Sequence, residues 1–134
     1  MPKYLHMMIR VVDLAVSIAF YDRYFGMRLL RRRDFPEARF TLAYLGAGVE
    51  EDGNVLELTW NWDRSEPYGH GTGYGHIAFG VESLDSFVKR LKADGVKISR
   101  EPGKMFETEI SMAFLEDPDG YKIELLQLPF PAHR

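Results

Sequence analysis

Four side chains recur in a pattern that could do chemistry. His6 and His76 lie 70 residues apart, and Glu57 and Glu124 lie 67 apart. Each histidine sits in an apolar run, Leu5-His6-Met7-Met8-Ile9 and Gly75-His76-Ile77-Ala78-Phe79. Each glutamate interrupts another, Val55-Leu56-Glu57-Leu58 and Lys122-Ile123-Glu124-Leu125. A carboxylate in such a run either faces water or is held by a cation or hydrogen-bond donors, because an unpaired buried carboxylate is costly. Two imidazoles and two carboxylates suit a divalent transition metal, so His6, Glu57, His76 and Glu124 are candidate ligands. Two further positions of an octahedral shell would stay open, as a catalytic ion requires. A substrate chelating through two neighbouring oxygens could use them, with the ion acting as a Lewis acid toward an enolate or enediolate oxygen. Glu57 or Glu124 could then serve as general base. Taken singly, each histidine reads as a satisfied strand residue and each glutamate as solvent-facing. The duplication is what favours ligands.

A second layer shares their faces. Strand residues four apart point the same way and stand about 13 Å apart. Arg10 follows His6 by four, and Asn61 follows Glu57 by four. An arginine and an amide there could hold a carboxylate and a polar amine or amide group. The alternative is that both end their strands in solvent. The equivalent second-half positions are Gly80 and Leu128, so polar anchoring is one-sided although the ligands are symmetric. The expected substrate is an elongated anion with its reactive end on the metal.

The elements that must position these groups also come in two copies. Leu5–Leu14 aligns with Gly75–Leu84, matching His6 with His76, Val11 with Val81 and Leu14 with Leu84. The near-equal offsets predict one unit used twice, three residues shorter in the second copy. Each unit reads as strand, helix, then three strands. In the first, strands are expected at 4–11, 27–34, 39–45 and 54–61. Asp13 caps a helix marked by Leu14, Ile18, Tyr21 and Phe25 and closed by Gly26. In the second, strands are expected at 74–81, 96–100, 110–116 and 121–127. Ser83 caps a helix marked by Leu84, Phe87, Val88 and Leu91 and ended by Gly95. The turn Asp117-Pro118-Asp119-Gly120 joins the last two strands. The predicted fold class is α+β, two tandem βαβββ modules at 1–65 and 72–128, with a turn-rich connector at 66–71 and a fraying tail at 129–134.

Composition narrows the partners. Among 134 residues, 17 Lys and Arg face 20 Asp and Glu, a net charge of −3, which argues against a nucleic-acid partner. The chain contains no cysteine, which excludes disulfides, Cys-ligated zinc, iron–sulfur clusters and thiol catalysis. His6, Arg10 and Asp13 break the N-terminal apolar stretch, so no membrane span or signal sequence is expected, and the expected location is cytoplasmic.

At these residues the chain resembles the glyoxalase I (lactoylglutathione lyase) family of the vicinal oxygen chelate superfamily, over about residues 4–128. The resemblance is carried by Leu5-His6-Met7-Met8-Ile9-Arg10-Val11, Phe20-Tyr21 with Phe25-Gly26-Met27, Leu56-Glu57-Leu58-Thr59-Trp60-Asn61-Trp62, Tyr74-Gly75-His76-Ile77-Ala78, and Asp117-Pro118-Asp119-Gly120-Tyr121-Lys122-Ile123-Glu124. The last motif recurs across the superfamily. The first and third are more specific, since they hold ligands together with Arg10 and Asn61. The resemblance implies a homodimer in which His6 and Glu57 of one subunit meet His76 and Glu124 of the other around a metal. It implies that Arg10 and Asn61 hold the γ-glutamyl end of glutathione, the co-substrate. The compact length resembles bacterial members that favour nickel or cobalt over zinc. The implied reaction isomerises the methylglyoxal–glutathione hemithioacetal to S-lactoylglutathione by proton transfer from C1 to C2 through an enediolate. Glu124 is the first choice of base and Glu57 the second carboxylate.

Some residues depart from the family or stand aside. Asp63 and Val12 replace common glycines without touching a proposed ligand. Lys104, expected in a loop, is a candidate for the glycine carboxylate of glutathione, with a solvated lysine as the alternative. Arg31-Arg32-Arg33 reads as a solvated strand end, His70 and His133 as bystanders, and Trp60 and Trp62 as packing residues. Competing functions are an epimerase, a ring-cleaving dioxygenase, or a metal-free small-molecule binding protein. A dioxygenase triad uses one carboxylate, where this pattern offers two. A thiol other than glutathione would fit the same anchors.

Overall fold

The structure is a computed structural model that describes residues 1–131. It divides into two compact units, Met1–Gly69 and His70–Arg134. The first contains β1 (His6–Val11), α1 (Leu14–Phe25), β2 (Arg28–Phe35), β3 (Phe40–Gly46) and β4 (Val55–Asn61). The second contains β5 (Ile77–Val81), α2 (Leu84–Ala93), β6 (Ile98–Lys104), β7 (Ser111–Glu116) and β8 (Lys122–Gln127). Each unit is one four-stranded mixed sheet with its helix, ordered β1-β4-β3-β2 and β5-β8-β7-β6. No helix among the described residues is long and apolar enough to cross a membrane. His133 and the end of the expected tail lie outside the described residues.

Local chemistry explains the helix bounds. The Asp13 carboxylate accepts a hydrogen bond from the Val16 amide at 3.1 Å, taking up one unsatisfied donor of the first turn. Gly26 ends α1 with φ 62°, a left-handed conformation that a side chain would disfavour. Its amide donates to the Asp22 carbonyl, and that of Met27 to the Tyr21 carbonyl. In α2 the side chain of Ser83 plays the capping part, accepting from Ser86. Leu84, Val88 and Leu91 recur at helical spacing and are buried. The interiors are apolar, with Val11, Leu45 and Leu58 fully buried in the first unit and Leu91, Leu115, Ile123 and Leu125 in the second.

The topology brings the ligand-bearing strands together. The helix and the β2–β3 hairpin intervene between β1 and β4, so β1 returns parallel to β4, with Met8 opposite Glu57. The repeat does the same, setting β5 parallel to β8 with Ala78 opposite Glu124. Glu57 is also opposite Tyr44 on β3, and Glu124 opposite Phe114 on β7.

Three details differ from the pattern of the residues. β5 begins at Ile77, so His76 stands just before the strand, in a Gly-rich lead-in, and not within it. β6 continues past its expected end at residue 100 to Lys104, through Pro102-Gly103. A proline is tolerated there because β6 is an edge strand, and the pairing with β7 shifts register between Arg100 and Gly103. The stretch between β3 and β4 carries a short 3-10 turn, Glu50–Asp52. The corresponding β7–β8 connection is the tight turn at 117–120, where the Asp117 carboxylate accepts from the Asp119 and Tyr121 amides at 2.9 Å.

Candidate metal centre

Each sheet builds one donor pair. In the first, His6 at the start of β1 reaches Glu57 on β4, with Nε2 2.7 Å from Oε1. In the second, His76 reaches Glu124 on β8, with Nε2 3.4 Å from Oε1. Both carboxylates are buried, Glu57 9% and Glu124 7% exposed, although each unit has ample surface on which to place them. Among the described residues no three or more His, Asp or Glu side chains gather in one place. The chain therefore carries two His–Glu pairs of the same composition, one in each unit.

The donor set fits a divalent ion. Two donors each about 2.1 Å from one ion stand about 3.0 Å apart at right angles and about 3.4 Å apart at the tetrahedral angle. The observed 2.7 and 3.4 Å fall close to those spacings. The Nδ1 atom of His6 is buried without a hydrogen-bond partner in the protein. Nε2 is the ring nitrogen turned to Glu57, and Nδ1 is the one enclosed by the protein. A cation shared by both side chains would offset the cost of burying the carboxylate.

The rings behind the histidines repeat as well. The Tyr44 ring meets His6 edge-on at 5.6 Å, and the Phe114 ring meets His76 edge-on at 5.4 Å. Arg31 departs from the expected solvated strand end. Its guanidinium lies 3.7 Å over the Tyr44 ring and forms a two-point ion pair with Glu50, at 2.7 and 2.9 Å. The hydrogen bond and the charge of Arg31 hold the Glu50 carboxyl below its ordinary range, against the opposing effect of desolvation. Its neighbours are engaged too, Arg32 with Asp34 and Arg33 over the Phe35 ring. Sequence periodicity could not show these contacts, since Glu50 lies 19 residues after Arg31, on a connection without regular spacing.

The proposed anchors fall at the far ends of the same strands. Arg10 is exposed on β1 opposite Thr59, and Asn61 ends β4. The Asn61 amide donates to the Tyr68 hydroxyl at 2.9 Å, and the Arg64 guanidinium stacks 4.1 Å from the Tyr68 ring. Tyr68 was not singled out in the sequence, because it lies among turn residues. In the second unit a Cβ added to Gly80 would lie 2.8–3.0 Å from three atoms of the Leu128 side chain. The two residues that correspond to the anchors therefore pack on one another.

The remaining candidates sit elsewhere. Lys104 ends β6 instead of lying in a loop, and its amine is 2.9 Å from Glu109. Trp62 packs as expected and donates to the Thr41 hydroxyl, which donates to Asp34. Asp63 is paired with Arg39 at 2.6 Å. His70 is stacked on Tyr121, with centroids 4.0 Å apart. It lines a cavity of about 460 Å³ in the second unit with Tyr74, His76, Arg100, Phe114 and Lys122.

Tyr74 in that cavity gives a stability signature. Its hydroxyl donates to the Lys122 carbonyl at 3.1 Å. Burial first, then the charges of Asp117 and Tyr121, push its phenol from 10.0 up to about 12. The unfolded chain loses this proton near pH 10, whereas the folded protein keeps it to about 12. The associated stability is complete below pH 10 and is lost as pH rises through that window. Thermal melts from pH 9 to about 12 should therefore fall more steeply for the wild type than for Tyr74→Phe. Parallel slopes would remove the assignment.

Comparison with known proteins agrees with this geometry. The family described as the Glyoxalase/Bleomycin resistance protein/Dioxygenase superfamily matches residues 3–125. Over 123 residues the chain is 50% identical to a probable lactoylglutathione lyase of Synechocystis sp., covering 92% of this chain and 93% of that protein. It is 51% identical to a lactoylglutathione lyase of Neisseria meningitidis, covering 92% and 88%. Among solved structures it is similar to a trypanothione-dependent glyoxalase I of Leishmania major, with a TM-score of 0.84, 46% identity, and 95% of this chain and 87% of that one covered. Similarity to glyoxalase I of Zea mays gives a TM-score of 0.86 at 42% identity, over 93% of this chain and 44% of that one. With two donor pairs on two βαβββ units, the chain belongs to the Glyoxalase/Bleomycin resistance protein/Dioxygenase superfamily.

Proposed function

We propose that the protein is a lactoylglutathione lyase, a metal-dependent enzyme that isomerises the methylglyoxal–glutathione hemithioacetal to S-lactoylglutathione. The observation that carries this is the doubled His–Glu pair, His6 with Glu57 and His76 with Glu124. The named relatives at about 50% identity support it. Two carboxylates disfavour the one-carboxylate triad of a dioxygenase. A metal-free binding protein has no need of two buried glutamates beside histidines.

His6, Glu57, His76 and Glu124 would hold the ion. Each pair supplies only two donors, which supports a homodimer in which one subunit's first pair faces its partner's second pair. When bound, the ion supplies Lewis-acid stabilisation of the negative charge that develops on the substrate. The compact chain supports nickel or cobalt ahead of zinc.

The chain's own residues do the rest. Arg10 binds the γ-glutamyl carboxylate and Asn61 the neighbouring polar group, oriented by its bond to Tyr68. The glycine carboxylate reaches Lys104 only if the pair with Glu109 opens. Glu124 accepts the proton from C1 and returns it to C2, while the hydroxyl proton passes from the C1 oxygen to the C2 oxygen with Glu57 able to shuttle it, so no net proton is gained or lost. Its wider separation from its histidine, 3.4 Å against 2.7 Å, leaves Glu124 less engaged with an imidazole than Glu57 and supports it as the base. Glu57, drawn close to His6, is the second carboxylate.

The test is to load the protein with nickel, supply methylglyoxal and glutathione, and follow thioester formation. S-lactoylglutathione is the expected product. A folded, metal-loaded protein that forms none would overturn the proposal. Turnover with a different thiol only would keep the reaction and change the co-substrate, as with the trypanothione-dependent Leishmania major relative.

A further inference from the structure

The two half-sites share more than their donors. In each unit the edge strand of the hairpin shifts register just before an arginine, between Leu29 and Arg31 in β2 and between Ile98 and Arg100 in β6. Each arginine stands opposite an aromatic residue, Arg31 opposite Tyr44 and Arg100 opposite Phe114. Each aromatic residue stands opposite the glutamate, Tyr44 opposite Glu57 and Phe114 opposite Glu124. The same ring meets the histidine edge-on. Arginine, ring and donor pair thus form one cross-strand row, built twice.

The rows differ at their outer ends. Arg31 is fixed by both oxygens of Glu50, on a 3-10 turn that has no counterpart among the described residues of the second unit. Its fork and its flat face are used together, the fork on the carboxylate and the face on the Tyr44 ring. Arg100 takes neutral acceptors instead, the Met112 sulfur at 2.9 Å and the Lys104 carbonyl at 3.1 Å. The pair behind the clamped arginine is the tighter, 2.7 Å against 3.4 Å.

We propose that Arg31 is a positioning residue for the metal centre: clamped by Glu50, it fixes the Tyr44 ring that backs His6 and so preorganises the His6–Glu57 half-site. This rests on the metal-dependent function proposed above. The contacts of Arg31 are with Glu50 and the Tyr44 ring. It acts through the ring, as groups behind metal ligands set ligand orientation.

The test measures metal binding directly, apart from turnover. Nickel affinity is read by competition with a chromophoric chelator, and ligand geometry by the absorption of the cobalt-loaded protein. Arg31→Met is expected to weaken nickel binding by about 10–100-fold and to alter the cobalt spectrum. Arg31→Lys keeps the charge without the planar fork, and is expected to resemble Arg31→Met. Glu50→Gln leaves the guanidinium in place but loosens it; because the Glu50 charge also acts on His6, it is read by the cobalt spectrum as well as by affinity, and it serves as the second variant if Arg31→Met does not fold. It should weaken binding in the same direction. Tyr44→Phe keeps the ring, as Phe114 does in the second unit, and should bind nickel as the wild type does. Wild-type affinity and spectrum in folded Arg31→Met, or in Glu50→Gln where that variant replaces it, overturn the inference. So does a wild-type Arg31→Lys, since charge alone would then suffice. A wild-type protein that binds no nickel overturns the underlying function instead, which keeps the two failures apart.

Discussion

Stripping the protein with a chelator takes hemithioacetal turnover to background, and added nickel restores it while the fold is unchanged throughout. The reason lies in what the chain has without the ion. Its two buried carboxylates can move a proton, but a carboxylate is a weak base for a carbon acid whose conjugate charge is left unstabilised. Charge stabilisation of the developing oxyanion is commonly the largest single contribution to such a step. Arg10 and Asn61 cannot supply it, because they lie four strand residues from His6 and Glu57, about 13 Å along the strands. Circular dichroism of the stripped protein should match that of the loaded protein, since the donor pairs sit on sheets whose interiors are already apolar and closed. Full turnover in protein shown to be metal-free would sink this account.

The second large effect is expected from Glu124→Gln. The amide keeps the shape and one oxygen of the side chain but cannot accept the C1 proton. Loss of a positioned general base typically costs about 10²–10⁴-fold in rate. The loss should fall on kcat, with KM held by Arg10 and Asn61, provided nickel is added to saturation. Glu57→Gln provides the contrast. Glu57 lies 2.7 Å from His6, so its replacement should weaken nickel binding more than it slows the saturated enzyme. If Glu57→Gln slows the saturated enzyme and Glu124→Gln does not, the two roles are reversed.

Much of this was legible in the residues. The near-equal spacing of His6 with His76 and Glu57 with Glu124 foretold the repeat, and the two sheets have the same strand order. Asp13 and Gly26, and Ser83, bound helices as their side-chain chemistry requires. The fold class followed from the repeat and from strand and helix periodicity, and the grouping of each histidine with a glutamate from the repeat and the family resemblance. Strand periodicity reports which side chains share a face. It does not report what leans on that face from a loop. Glu50 is therefore invisible as the partner of Arg31, and Tyr68 as the partner of Asn61, until the chain is folded. Lys104 was misplaced for a different reason. Pro102-Gly103 signals a break, but an edge strand has a free side on which a missing amide donor does no harm. His76 stands outside its expected strand because the Gly-rich lead-in carries no side-chain pattern to mark the first paired residue.

Gly80 and Leu128 carry a last consequence. A duplicated unit begins with two copies of everything, including the positions now held by Arg10 and Asn61. Had both copies stayed polar, a long guest could lie in the centre either way round. Only one of the two ways would present C1 to the base, and half of all encounters would be idle. Here the second copy is a leucine folded onto a glycine, with no room between them for even a methyl group. With the anchoring proposed for Arg10 and Asn61, a pseudosymmetric scaffold thereby acquires a head and a tail, and its guest a single direction of approach.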